Sequence, residues 1–274
     1  MKEYFRRAVI IYRPGKKCLE LARKTLNILK NKGLEVRSYW VDDVLKDLVD
    51  DADIVIGIGG DGTLLKISRL YPRTSPLIIP IPCGRRTVLY EKTADQVEKI
   101  IEQFFSGKFF VELYDRIRVK YGDQEYFSLN EASLISTDRG RVIRFDLKIV
   151  SPSFSSKLIV EGDGLLIGSS VGSAAYNLSA GGPLVDTDTG TFFITPLSSM
   201  ELNLRPIVLS CLSKVSVTSS GYTELYIDGE KVDILDPWSR IDFELDCKCF
   251  RIVRFNIERD YLRDVFDKRK LIFE

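Results

Sequence analysis

The sequence predicts an α/β protein with an N-terminal parallel-sheet domain, then a β-sandwich domain, and finally a C-terminal segment that returns to the first domain. Apolar strands alternate with amphipathic helices over about the first 105 residues, which is typical of a parallel sheet covered by helices. From Phe109 onward the hydrophobic period changes to two, as in antiparallel strands. We place the domains at 1–108, 109–254 and 255–274.

The first domain is predicted from apolar runs and helical stripes. Strands are predicted at 8–12, 34–40, 54–58 and 77–81. Helices are predicted at 16–32, at 42–49, after Thr63 and at 93–105, with Gly33 and Gly107 as terminators of the first and last. Ligands of such sheets bind where the parallel strands end, so the turn after residues 54–58 is the first place to look for a site.

The second domain is predicted to consist of short strands with period-two patterning. A hairpin of 109–121 and 125–136 is joined by Gly122-Asp123-Gln124. Further strands are predicted at 142–150, 156–161, 164–168, 207–219, 222–228, 231–235 and 240–254. Residues 257–271 carry Tyr261, Leu262, Val265 and Phe266 at helical spacing, and we expect this helix to pack on the first domain.

Composition excludes several classes of function. A net charge of +1 with 29% charged residues gives no general attraction to nucleic acid or to an acidic membrane. There is no 18-residue apolar run, and the charged N-terminus does not resemble a signal peptide. Five cysteines, an odd and scattered set, favour the reducing cytoplasm. Few Asn and Gln beside many Lys, Arg and Glu are typical of a thermophile.

The chain contains no histidine, which removes Ser-His and Cys-His nucleophiles and His-ligated zinc. Proton transfer must then be performed by Asp, Glu, Lys, Tyr or Cys. Cys247-x-Cys249 has the wrong spacing for a metal pair, and we expect both cysteines to face the core.

One turn concentrates unusual chemistry between a strand and a helix. Residues Gly59, Gly60, Asp61, Gly62 and Thr63 follow the apolar run 54–58. Glycines let the backbone approach a phosphate at a helix N-terminus. Asp61 puts a negative charge there, which suits a site that holds a metal ion or takes a proton beside a phosphate.

Other interpretations of this turn remain open. Gly57-x-Gly59-x-x-Gly62 fits the dinucleotide fingerprint, but the strand 77–81 runs into Pro82 and Cys83 without the acid that such a site expects. The Gly-Lys-Ser/Thr ending of a P-loop is absent. The alternative without function is a tight strand–helix turn that carries an incidental aspartate.

Two further motifs lie in the second domain. Asn130-Glu131 interrupts an apolar strand, either as an exposed bulge or as a pair directed at hydroxyls or amines of a ligand. The run 162–183 is rich in Gly, Ser and Ala and contains Asp163 and Tyr176. It suggests a backbone surface for a flat ligand, with Ser173 as the cap of a short helix over Ser173-Ala174-Ala175-Tyr176. The alternative is a glycine-rich linker.

Together these motifs resemble those of the NAD kinases over nearly the whole chain. Gly59-Gly-Asp-Gly-Thr63, Asn130-Glu131, Asp163-Gly164, Gly172-Ser-Ala-Ala-Tyr176, Ser179-Ala-Gly-Gly-Pro183, Arg205-Pro206 and Asp228-Gly229 follow the family's order. Diacylglycerol and sphingosine kinases share the first motif and are not expected to share the later ones. The resemblance implies transfer of a phosphate from ATP, or sometimes polyphosphate, to NAD with Mg²⁺.

The resemblance also implies residue roles. Asp61 would be the base that takes the proton of the 2′-hydroxyl of the adenosine ribose, beside Gly59, Gly60, Gly62 and Thr63. Asn130 and Glu131 would hold the adenosine, and Asp163, Ser173, Ala174, Ala175, Tyr176 and Ser179 the dinucleotide, with Tyr176 and Ser179 near the adenine. Asp228 matches a position that often reaches a neighbouring subunit, which implies a homodimer or homotetramer.

The chain departs from the family pattern at three places, one of which is the stretch before Arg205-Pro206, where Ser198-Ser-Met-Glu201 replaces the common Cys-Pro-His. The usual Gly-x-Asn-x-Gly-x-x-Gly-Phe is replaced by Pro80-Ile-Pro-Cys-Gly-Arg-Arg-Thr-Val88, where Arg85 and Arg86 either meet phosphates or remain solvated. The usual Thr-Gly-Ser-Thr-Ala-Tyr is Val171-Gly-Ser-Ala-Ala-Tyr176. A kinase for a lipid or sugar hydroxyl and a nucleotide sensor without catalysis are therefore kept as alternatives.

Overall fold

The computed structural model describes residues 5–44, 49, 51–72, 75–84, 87–91, 96–138, 140–256 and 265–266. The chain divides into two compact units, Met1–Leu113 with Phe250–Glu274 and Tyr114–Cys249. The predicted fold class, a parallel-sheet α/β part followed by a β-rich part, is confirmed. That residues 109–254 form a dinucleotide-binding domain stays a prediction.

The first unit is built on a parallel sheet with the strand order β2, β1, β3, β4. Its strands are β1 (Arg7–Tyr12), β2 (Glu35–Trp40), β3 (Ile54–Gly59) and β4 (Leu77–Pro82). Its helices are α1 (Lys16–Asn31), α2 (Asp61–Leu70) and α3 (Val97–Phe105). Every residue of β3 is buried, as expected for a central strand covered on both faces.

Helix α1 shows why these sequences form helices on this sheet. Cys18, Ala22, Thr25 and Leu29 are its buried residues, at spacings that form one stripe. Gly33 follows at φ +87°, and Gly107 follows α3 at φ +78°. This left-handed conformation ends a helix at little cost only for glycine, so both predicted terminators are confirmed.

The chain returns to the first unit through a strand. Residues at the end of β16 (Ile241–Arg254) run parallel to β4, with Ile252 opposite Ile78. This strand ends before the predicted C-terminal segment 255–274, whose packing on the first domain stays a prediction. The predicted helix 257–271 lies outside the described residues except for 265–266, which are helical, and residues 45–48 of the predicted helix 42–49 also lie outside them.

The second unit contains two antiparallel sheets. One has the order β12, β11, β10, β7, β14, β15; the other contains β16, β13, β8 and β9 in that order, with β5 beside β16 and β6 beside β5. The bounds are β5 Phe110–Tyr121, β6 Gln124–Ser128, β7 Glu131–Ser136, β8 Ile143–Ser151, β9 Phe154–Gly162, β10 Gly164–Ser169, β11 Thr191–Leu197, β12 Ile207–Ser210, β13 Lys214–Ser219, β14 Thr223–Ile227 and β15 Glu230–Leu235.

The two sheets share one hydrophobic core, which makes the second unit a sandwich. Leu134 of β7 and Leu225 of β14 meet Phe145 of β8 and Phe243 of β16 in this core, and each is at most 1% exposed. The alternate residues of β7 and β14 therefore face away from the core, onto the outer face of the six-stranded sheet.

Two strand predictions were wrong in detail, and one strand was not predicted. The predicted strand 125–136 is two strands, because Leu129 and Asn130 donate their N–H groups to a side chain instead of a ladder. The predicted strand 207–219 is also two, β12 and β13. Strand β11, which contains Pro196, was missed. Within the described residues, no helix combines the length and the apolar character needed to span a membrane.

The cysteines differ from the sequence-based expectation. Cys18 of α1 and Cys83 after β4 form a disulfide, with Cα atoms 5.7 Å apart. An odd cysteine count cannot reveal this pair, because only the fold brings residues 65 positions apart together. The expectation that Cys247 and Cys249 face the core was wrong as well, since Cys247 is exposed and Cys249 half-buried.

Reduction of this disulfide is expected to lower the stability of the protein. The bond closes a loop with a sequence separation of 65 residues, for which chain entropy predicts about 4 kcal/mol in the free energy of unfolding. Chemical unfolding followed with and without dithiothreitol measures the loss, and a Cys18→Ala/Cys83→Ala variant should not respond to the reductant. Identical unfolding curves of the wild-type protein in both conditions would contradict the assignment.

Candidate functional site

The turn after β3 places Asp61 at the first position of α2. Gly60 precedes it in an extended conformation, and the Thr63 N–H donates to the Gly60 carbonyl at 2.8 Å. A Cβ atom at Gly59 would lie 2.1 Å from Oγ1 of Thr63, so this position requires glycine. Gly62 is exposed, and a Cβ there would meet nothing within 4 Å, which leaves the first turn of α2 uncovered. Its N–H groups and the helix dipole favour an anion.

The Asp61 carboxylate is held by the segment 87–91, which follows β4. Oδ2 accepts the Val88 N–H at 2.9 Å, and Oδ1 accepts the Leu89 N–H at 3.0 Å. Two hydrogen bonds from one rigid backbone segment fix the orientation of the carboxylate. A carboxylate has about four lone-pair positions, and these amides use two of them.

Tyr90 forms a hydrogen bond to the backbone of the same turn. Its hydroxyl donates to the Gly60 carbonyl at 3.1 Å. Burial raises the pKa of Tyr90 well above its ordinary value, and the Asp61 charge raises it further. The phenol therefore remains protonated near neutral pH and acts as a fixed hydrogen-bond donor.

In the second unit, Asp228 organises the turn that carries Asn130 and Glu131. Its Oδ1 accepts hydrogen bonds from Ser128 Oγ at 2.6 Å and from the Asn130 N–H at 2.8 Å, and its Oδ2 accepts the Leu129 N–H at 3.1 Å. Its own N–H donates to the Glu131 carbonyl at 3.0 Å. Asp228 adopts a left-handed conformation with φ +50°, which Asp tolerates better than most residues.

The glycine-rich run packs against this same turn. A Cβ atom at Gly172 would lie 2.0 Å from the Asn130 carbonyl oxygen, and one at Gly168 would lie 2.8 Å from it. The Ser169 N–H donates to that carbonyl at 2.9 Å. Glycine at 168 and 172 therefore lets two backbone segments approach closely, as the predicted backbone surface requires.

Asn177 holds the rest of the run in place. Its Nδ2 donates to the carbonyls of Ser173 and Pro183 at 3.1 and 2.8 Å, and its Oδ1 accepts from Thr195 Oγ1 at 2.6 Å. The run is thus an ordered loop and not a linker. The predicted capping role of Ser173 was wrong: this residue lies inside a 3-10 turn, and its Oγ bonds to the Val185 backbone.

A pocket of about 820 Å³ opens on the outer face of the six-stranded sheet. Glu131, Ser133 and Ile135 contribute alternate side chains of β7, and Glu224 and Tyr226 contribute those of β14. The remaining lining residues are Ser136, Thr137, Asp138, Gly140, Asp163, Tyr176, Ser179, Ala180, Pro196, Leu197, Ser198 and Gly229. The lining is acidic, because it contains four carboxylates and no Lys or Arg within the described part of the chain.

Comparisons with known proteins match both parts of the chain. The family model for the ATP-NAD kinase N-terminal domain matches residues 15–109, and that for the ATP-NAD kinase C-terminal domain matches residues 129–246. An NAD kinase from Fusobacterium nucleatum subsp. nucleatum is 32% identical over 266 residues, which cover 95% of this chain and 96% of the relative. The chain belongs to the NAD kinase family.

Solved structures of this family share the fold. An NAD kinase from Archaeoglobus fulgidus, crystallised in complex with ATP, has a TM-score of 0.77 at 24% identity, covering 96% of this chain and 98% of its own. Yeast NADH kinase complexed with NADH has a TM-score of 0.84 at 19% identity, with coverages of 98% and 89%. At these identities the likeness concerns the fold alone.

The structure separates the predicted site residues of this NAD kinase family member into two classes. Four of them line the pocket, namely Glu131, Asp163, Tyr176 and Ser179. The others of the second unit, Asn130, Ser173, Ala174, Ala175 and Asp228, are absent from its described lining. Asp228 and Asn130 instead contact the backbone that supports Glu131. Arg85 and Arg86 lie outside the described residues.

Sequence reasoning missed Ser133, Glu224 and Tyr226. Tyr226 donates its hydroxyl to Glu224 Oε2 at 2.7 Å, and Lys231 Nζ contacts Glu224 Oε1 at 2.5 Å. Period-two alternation from Glu131 would have identified Ser133. The position of β14 beside β7, however, follows from the sheet order and has no local sequence signal.

Gly172→Ala is expected to destabilise the protein and disturb the Asn130–Glu131 turn. The added methyl would overlap the Asn130 carbonyl, which is backbone and cannot rotate away. Overpacking of this kind costs about 1–3 kcal/mol. Thermal unfolding measures the loss, and Gly84→Ala is the control because a Cβ there meets nothing within 4 Å. Equal melting temperatures for the two variants would contradict the close approach.

Proposed function

We propose that this protein transfers the γ-phosphate of ATP to the 2′-hydroxyl of the adenosine ribose of NAD, forming NADP, with Asp61 as the general base. The observation that carries the proposal is the Asp61 carboxylate, oriented by the Val88 and Leu89 amides at the start of α2. Membership of the NAD kinase family supports the substrates.

The bonds broken and formed in this transfer balance. The ribose O–H bond breaks as its oxygen forms a bond to the γ-phosphorus, and Asp61 accepts the proton. The bond from the γ-phosphorus to the bridging oxygen breaks, and ADP leaves with that electron pair. Phosphoryl transfer of this kind depends mainly on positioning and on electrostatic stabilisation of the moving group.

The glycine turn suits the phosphates of ATP. Gly59, Gly60 and Gly62 keep side chains away from the first turn of α2, and Thr63 closes the turn through its N–H. We assign these four residues to the nucleotide phosphates, whose oxygens would accept from N–H groups in the first turn of α2.

Mg²⁺ fits this donor set as an ion that is carried by the nucleotide. No group of three or more Cys, Asp or Glu side chains in the described residues is arranged to hold a metal. Mg²⁺ usually keeps several waters and binds through one or two carboxylates together with substrate phosphates. Asp61 is the carboxylate of the turn, and we assign it to this ion. When bound, the ion would neutralise charge on the transferred group.

The pocket suits the nucleoside parts of NAD better than its phosphates. The carboxylates of Glu131 and Asp163 can accept hydrogen bonds from hydroxyls and amines and would repel phosphate, whereas Glu224 is paired with Lys231 and Asp138 with Arg141. Tyr176 is 48% exposed, so its ring is available to stack on a flat base. We assign Glu131, Asp163, Tyr176 and Ser179 to direct contact with NAD.

The remaining predicted residues take a supporting role in this proposal. Asn130, Ser173, Ala174, Ala175 and Asp228 shape the backbone behind the pocket rather than its surface.

Exposed Val232 and Ile234 on the edge strand β15 are suited to a homodimer or homotetramer interface, which light scattering tests. We propose a cytoplasmic location; a disulfide is compatible with it chiefly in hyperthermophiles, whose intracellular proteins retain such bonds.

Asp61→Asn is expected to lower the kcat of NADP formation by about 100- to 10,000-fold, because the amide cannot accept the proton. The KM for NAD should change little. The assay incubates protein with Mg-ATP and NAD and detects NADP with an NADP-specific dehydrogenase. Asp123→Asn, at an exposed hairpin tip, is the charge-matched control.

The same assay separates the alternative functions. NADP formation that survives Asp61→Asn at the wild-type rate would contradict the base assignment. Wild-type protein that binds NAD without forming NADP would be a nucleotide sensor. Protein that hydrolyses or transfers phosphate from ATP but does not bind NAD would act on another hydroxyl, such as that of a lipid or sugar.

Glu131→Gln is expected to raise the KM for NAD about 10- to 100-fold, since a hydrogen bond to a charged group is weakened. The KM for ATP should not change, because the nucleotide turn is a separate group of residues. Initial rates with each substrate varied at saturation of the other measure both constants. Equal increases in both would argue against a role confined to NAD.

A further inference from the structure

The segment 87–91 connects Asp61 to a buried arginine at the end of β16. The Leu89 N–H donates to Asp61 Oδ1 at 3.0 Å, and the Leu89 carbonyl accepts Arg254 Nη1 at 2.7 Å. One residue therefore bonds to the carboxylate through its amide and to the guanidinium through its carbonyl. We call residues 87–91 the Asp61 clamp.

Arg254 is held in a charged and buried setting. Its side chain is 1% exposed, and its Nε donates to Glu112 Oε2 at 2.5 Å. Glu91 Oε1, at the end of the clamp, lies 3.8 Å from Nε, and Glu91 Oε2 accepts the Phe255 N–H at 3.0 Å. The clamp is thus tied to the returning strand at Leu89 and again at Glu91.

A buried ion pair rarely stabilises a protein more than apolar side chains of the same volume would. Hydrophobic residues of similar volume are often as stabilising, because taking charges out of water offsets their attraction. The guanidinium has several N–H donors, so Arg254 can bind the Leu89 carbonyl and the Glu112 carboxylate at the same time, which an apolar side chain cannot do. This points to placement of the clamp, rather than stability alone, as the task of Arg254.

We infer that Arg254 is a positioning residue for Asp61, acting through the clamp. The inference rests on the proposed function, in which Asp61 is the general base. Arg254 is too buried to touch substrate, so its influence on the reaction passes through Leu89. In this inference the strand that ends at Arg254 provides part of the support for Asp61, although the two residues lie far apart in the sequence.

Arg254→Lys tests this inference, because lysine keeps the charge but lacks the fork. We expect kcat to fall about 10- to 100-fold, as a misplacement of about 1 Å produces. The KM for NAD should stay within about threefold, since the pocket lining does not include Arg254. Arg251→Lys is the matched control: it lies on the same strand and donates to a backbone carbonyl, that of Ser75, and kcat should not change.

A double variant shows whether Arg254 acts through Asp61. In Asp61→Asn/Arg254→Lys, the kcat should equal that of Asp61→Asn alone, because the base that Arg254 positions is already lost. If the losses of kcat in the two single variants multiply in the double variant, or if Arg254→Lys has a normal kcat, the inference is overturned. Either result leaves the role of Asp61 intact. Full activity of Asp61→Asn alone would instead overturn the proposed base.

A second variant serves if Arg254→Lys does not fold. Tyr90→Phe removes only the hydroxyl that ties the clamp to the Gly60 carbonyl and leaves the buried ring in place. It should lower kcat at nearly constant KM for NAD, with the same absence of further loss on the Asp61→Asn background. A Tyr90→Phe protein with wild-type kcat would overturn the idea that the clamp positions Asp61.

Discussion

The hydrogen bonds from Val88 and Leu89 to Asp61 are the constraint on which the proposed chemistry depends. A carboxylate on a glycine-rich turn would otherwise sample several rotamers, and a general base must hold one geometry. The glycines around it keep the helix N-terminus open to an anion. The segment 87–91 therefore orients the proposed base, and the absence of side chains at the glycines leaves room for the anion.

The second unit uses the same device with a different carboxylate. Asp228 accepts the backbone N–H groups of Leu129 and Asn130, and so breaks a strand where Glu131 must turn toward the pocket. Gly168 and Gly172 then allow the following loop to pack on the Asn130 carbonyl. In both units an aspartate carboxylate accepts backbone N–H groups: Asp61 is the proposed base of the first unit, and Asp228 supports the turn that carries Glu131 in the second.

The sequence predicts features that depend on residues close together in the chain. It does not predict contacts between residues that are far apart in the chain. The strand, glycine turn and helix around Asp61 follow from period and composition, and so do the switch to antiparallel strands and the terminators Gly33 and Gly107. The clamp, Arg254, Glu224 and the Cys18–Cys83 disulfide do not, because each depends on which strands become neighbours. Asp228 was recognised as a motif, but its contacts with the 128–130 turn have no signature in its own neighbourhood.

The central claim is that the Asp61 carboxylate receives the proton of the reacting hydroxyl. A crystal structure of the protein with NAD and a non-hydrolysable ATP analogue measures this most directly. The account predicts the adenosine ribose 2′-oxygen within about 2.6–3.2 Å of a carboxylate oxygen of Asp61. A complex in which that hydroxyl meets a different side chain, with the Asp61 carboxylate turned away from the ribose, would contradict it.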